Sequence, residues 1–97
     1  MNIYEQAARD FGVIPEIEQV RYTRRSRHGI TFYVIGEEFR GDLLERIINI
    51  GLALYDAYPN ERPLVEIQEH FGRGWQPYTG TRWRRLTLAR PCEEVRR

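Results

Sequence analysis

Lysine is missing altogether: all fifteen basic residues are arginine. Each cation is therefore a planar fork that can grip phosphate or carboxylate with two parallel hydrogen bonds, and can stack on a ring. Genome composition or a thermophile's residue preference would give the same bias without any ligand, although nine isoleucines and six tyrosines fit poorly with nucleotide bias alone. Cysteine is nearly missing too. Cys92 stands alone, which excludes an internal disulfide and agrees with a reducing compartment. Long apolar runs are also lacking. The longest, residues 47–55, is interrupted by Asn49 and is less than half of the roughly 20 residues a bilayer helix needs, so no membrane span is expected. The start, MNIYEQAARD, has no basic region followed by an apolar run, so no secretory signal is visible and cytoplasmic residence is the expectation.

The residues of catalysis are sparse in the same way. His28 and His70 have no partners at metal-ligand spacing, and zinc would need three or four ligands. Ser26 lies two residues from His28, but on a turn flanked by arginines, and that spacing carries no nucleophile–base signature. Gly72 and Gly74 are not followed by the further glycine and helix of a phosphate loop. The carboxylate pairs Glu37/Glu38, Glu66/Glu69 and Glu93/Glu94 read as solvated charge on strands and helix ends. No catalytic, metal or cofactor site is expected, and the chain reads as a non-enzymatic protein.

What is present is charge sorted by segment. Residues 19–36 carry Arg21, Arg24, Arg25 and Arg27 without an acid, and residues 70–90 carry Arg73, Arg82, Arg84, Arg85 and Arg90, again without one. The intervening stretch is acidic, and the total is only +1. Rings are interleaved with the second island: Trp75 and Tyr78 sit in a loop, and Trp83 lies between arginines.

The length and the apolar content of 41% suit one domain with its own core. Asn2 caps an expected helix over residues 3–11, stopped by Gly12. Residues 17–25 and 30–35 read as a hairpin turned at residues 26–29. In the second strand Ile30, Phe32 and Val34 oppose Thr31, Tyr33 and Ile35, so both faces are largely apolar and the strand is expected to be central, with the first strand more exposed. A helix then runs from Gly41 or Asp42 to about Tyr58, ended by Pro59. Its core stripe is expected at Leu44, Ile47, Ile48, Gly51, Leu54, Tyr55 and Tyr58, and further apolar residues widen it, so Ile50 and Leu52 are candidates for a contact with a second subunit. Residues 64–71, with Val65, Ile67 and Phe71 inward, and residues 82–89 complete the strands. The expected fold is α+β, in the order α-β-β-α-β-β, with a mainly antiparallel four-stranded sheet packed on one long helix.

Two functions of different class fit these features. The first is binding of single-stranded nucleic acid or RNA, with Arg21, Arg24, Arg25, Arg27, Arg73, Arg82, Arg84 and Arg85 meeting phosphates and Trp75, Tyr78 and Trp83 stacking on bases. The second is an interaction or accessory subunit that homo-oligomerises or docks on an acidic partner protein. Alternation in the last strand puts Arg82 and Arg84 on one face and Trp83 and Arg85 on the other, so one face cannot carry all three arginines. The two readings differ in their salt response, steep for phosphate binding and slight for apolar association.

Overall fold

The first helix is set by its opening residues. In a computed structural model that describes residues 1–25, 29–73 and 83–91, the Asn2 side chain accepts from Glu5 N at 2.9 Å, and Asn2 N donates to Glu5 Oε1 at 3.0 Å. This reciprocal cap satisfies two of the N–H groups that a helix start leaves unpaired. Helix α1, Ile3–Gly12, buries Ile3, Ala7, Ala8 and Phe11 at the i, i+4, i+5, i+8 spacing of one helical face.

Strands β1 (Gln19–Arg25) and β2 (Gly29–Gly36) pair antiparallel, from Gln19 opposite Ile35 to Arg25 opposite Gly29. Gly29 is required there. Its φ is +80°, and a side chain would strike the Arg62 backbone. Helix α2, Leu43–Ala57, carries the chain across to β3, Leu64–Glu69, by way of a 3₁₀ turn at Pro59–Glu61. Such a crossover delivers the next strand parallel to the one before it, and β3 pairs parallel with β2. Strand β4, Arg84–Leu86, pairs antiparallel with β1 on the far side.

The sheet order is thus β3-β2-β1-β4, and the sheet is mixed where a mainly antiparallel one was expected. The last two strands form no hairpin; they stand on opposite edges. Strand β1 is as central as β2, against the expectation that it would be the more exposed. Two helices, not one, cover the sheet, and α1 contributes more wholly buried side chains than α2.

Registered residues share a face. Val20, Ile30, Phe32, Val34 and Leu86 point to the helices and form one core with Ile3, Phe11, Ile14, Ile17, Ile47 and Leu54. Rings are concentrated in it: Tyr4 lies 4.9 Å from Tyr22, and Phe11 6.2 Å from Phe32. The buried side of α2 is Ile47 and Leu54, flanked by half-buried Leu43, Ile50 and Tyr58; Leu44, Ile48 and Tyr55, expected inward, are exposed. Phe71, also expected inward, is 59% exposed, because β3 ends at Glu69 and the chain turns there with Phe71 at φ +51°.

Long-range polar contacts lock these layers. Arg90 donates to the carbonyls of Gly12 at 3.1 Å, Ile14 at 2.9 Å and Ile17, while Ala89 N bonds Ala8 O at 3.0 Å. One guanidinium thereby ties the end of α1 to the approach to β1. His70 follows β3 directly. Its Nδ1 accepts from Gly72 N at 3.0 Å, so Nε2 is left to donate to Glu18 at 2.8 Å. Among the described residues no helix is long and apolar enough to cross a membrane.

Candidate nucleic-acid interface

The face of the sheet turned from both helices is built from the alternate residues of the same strands. Across it in one row stand Arg85 of β4, Arg21 of β1, Tyr33 of β2 and Glu66 of β3. Arg85 is exposed, and Arg21 is half-buried with its Nε donating to Gln19 Oε1 at 2.9 Å. Two arginines directly opposite on neighbouring antiparallel strands repel one another and concentrate positive charge at one place on the face. Thr23 and Thr31 form the next pair along the strands. Ile35, wholly buried, lies on this face as well and is separate from the core on the helix side.

Trp83 immediately precedes β4, and its half-buried indole stands edge-on to Tyr33, with centroids 3.6 Å apart and planes at 68°. The pair spans β1, so rings supplied by the first hairpin and by the last strand meet beside the Arg21–Arg85 pair. Strand alternation alone already assigned Trp83 and Arg85 to one face and Arg84 to the other. Arg84 is exposed on the helix side, opposite Tyr22.

The remaining arginines separate by role. Arg24 was expected to lack a compensating acid, but its guanidinium meets Glu61 Oε1 at 2.5 Å and donates to the Tyr4 hydroxyl at 3.2 Å. The hydrogen bond to Glu61, followed by that to Tyr4, raises its pKa still further above the ordinary arginine value. Arg24 points to the helix side and is a strut between β1 and the 3₁₀ turn. Arg90 is spent on backbone carbonyls. Arg73 is exposed in the turn after β3, and Arg25 closes β1 opposite Gly29. Arg27, Trp75, Tyr78 and Arg82 lie outside the described residues, as do Ser26, His28 and Cys92.

Tyr33 joins the candidate face without having been among the candidates expected from the sequence. Its place in the outward set of β2 was visible in the sequence, but the apolar company of Ile35 made it look like core. Of the two candidate subunit contacts, Leu52 is 60% exposed, whereas Ile50 is half-buried and lines a groove of about 500 Å³ with Arg9, Asp10, Val13 and Arg46, between α1 and α2. Comparison of the chain with protein families, curated proteins and solved structures gave no match.

Proposed function

We propose that the protein is a non-enzymatic binder of single-stranded nucleic acid, and that the sheet face bearing Arg21, Arg85, Tyr33 and Trp83 receives the strand. The observation that carries this reading is the juxtaposition of two guanidinium groups in register with a ring pair on one sheet face. Arginine side chains suit phosphates, and bases supply flat apolar faces for the rings. Single strands suit the site better than duplexes because only unpaired bases can leave their own stack for an aromatic side chain. The total charge of only +1 implies moderate affinity.

The test is a fluorescence-anisotropy titration of a short labelled oligonucleotide, RNA or DNA, over a range of salt concentrations. Affinity should fall with salt, and replacing Arg21 and Arg85 by Ser should flatten the logarithmic slope by about 0.7 for each phosphate no longer neutralised, the value for single strands. Absence of salt-dependent binding at low ionic strength would reject the reading.

A further inference from the structure

Apolar surface is concentrated along one edge of the molecule. Leu44, Ile48, Leu52 and Tyr55 form an exposed ridge on α2, with Ile48 52% and Leu52 60% accessible; Leu64, at the start of β3, is 55% accessible, and Phe71, just past its end, is 59%. The orientation of α2 shows what the ridge overhangs. Ile50 faces α1, while a side chain at Gly51 would meet Val65 Cγ2 of β3 at 2.9 Å. At about 100° per residue, the ridge lies further round in the same sense as Gly51, beyond β3. Among the described residues β3 is an edge of the sheet, and no proline interrupts it, although it carries Glu66 and Glu69. The ridge therefore stands over the position that one more strand would occupy.

We propose that a second copy of this chain occupies it, β3 pairing with β3 antiparallel about a two-fold axis, so that two four-stranded sheets become one and the two α2 ridges cover the seam. Antiparallel self-pairing brings the start of each β3 to the end of the other. Centred on Ile67, the pairing sets Leu64 of one copy opposite His70 of the second, at both ends, with Leu64 on the sheet face turned from the helices because it is registered with Thr31. A register centred on Ile67 sets Glu66 opposite Gln68 and keeps the two Glu66 carboxylates apart, whereas centring on Glu66 would oppose them directly. Val65 and Ile67 lie on the helix side in either copy, under the ridges. The pairing is independent of the nucleic-acid reading, which a monomer would satisfy equally.

Sedimentation equilibrium of the whole chain at tens of micromolar, with far-UV circular dichroism as the check on folding, tests it. The unaltered chain should have the mass of a dimer. The ridge variant Ile48→Glu/Leu52→Glu and, separately, the edge variant Leu64→Lys/Phe71→Lys should each be folded monomers, because all four side chains are at least half exposed within one copy. A monomeric unaltered chain would overturn the proposal, and so would a mass above that of a dimer. A dimer lost in the ridge variant but kept in the edge variant would overturn strand pairing in favour of contact through the helices alone. Oligonucleotide titration of the monomeric variants separates this outcome from the fate of the sheet-face site.

Discussion

Arg21 and Arg85 stand directly opposite each other on antiparallel neighbours, two cations sharing one position of the ladder. Placing an acid opposite Arg21 should favour the fold while harming the candidate site. Arg85→Glu is expected to raise folding free energy by roughly 0.2–1 kcal/mol, the range for opposite charges in a cross-strand pair, and to abolish oligonucleotide binding. Urea denaturation and anisotropy titration of the same variant measure both. A variant that loses stability and keeps its affinity would show that the pair belongs to the scaffold.

Arg24 and Arg90 carry the same side chain under different conditions, and the difference is measurable. The Arg24 bond to Glu61 is solvent-exposed on both sides, 49% and 34% accessible, so Arg24→Ser should cost no more than about 1 kcal/mol. Arg90 satisfies three carbonyls in a partly buried setting. Arg90→Ala should therefore cost about 1.5–3 kcal/mol, the range for hydrogen bonds from a charged donor. Paired thermal melts decide the order. Equal losses would mean that Arg90 is no clamp.

The ring pair gives a third expectation. Trp83→Ala should weaken oligonucleotide binding by about 1–3 kcal/mol if the indole stacks on a base. Its packing against Tyr33 should also emerge in a double-mutant cycle, Trp83→Leu against Tyr33→Leu, as about 0.5–1.5 kcal/mol of coupling in folding free energy. Trp75→Phe provides the background in which Trp83 emission can be followed alone. A coupling near zero would mean that the two rings do not support each other.

Core truncation sets the scale. Phe32 is wholly buried among Tyr4, Phe11 and Tyr22, and Phe32→Ala should cost about 3–5 kcal/mol. A loss below about 1 kcal/mol in chemical denaturation, the level of an exposed site, would contradict the assignment of this aromatic cluster as the centre of the fold.

Local features of the fold were legible in the sequence because their causes are local. Asn2 and Glu5 are three residues apart, and Pro59 follows the helix it ends. The two-residue alternation of β2 carries its whole meaning within eight positions. The strand order was not legible, since nothing within β3 or β4 states which neighbour it takes. The buried stripe of α2 was misjudged for a related reason: a helix apolar on most of its circumference has no unique inward direction until α1 and β3 supply one. The placement of the candidate residues was legible only in part. Trp83 and Arg85 follow from alternation, whereas the separate fates of Arg24 and Arg90 depend on partners 37 and 73–78 residues away, at distances where composition is silent.

The Arg90 clamp and the bond from Ala89 to Ala8 also constrain the order of events in folding. Strand β1 acquires its second neighbour, and the end of α1 its bracing, only from residues that are translated long after them, the clamp some 73–78 positions later. While that segment is still inside the ribosome, the hairpin of β1 and β2 must wait with one side of its ladder open, and closing so long a loop is entropically costly. Docking of β4 should accordingly be a late event. Truncating Leu86 should accelerate unfolding far more than it slows folding, the kinetic signature of an interaction made after the rate-limiting barrier.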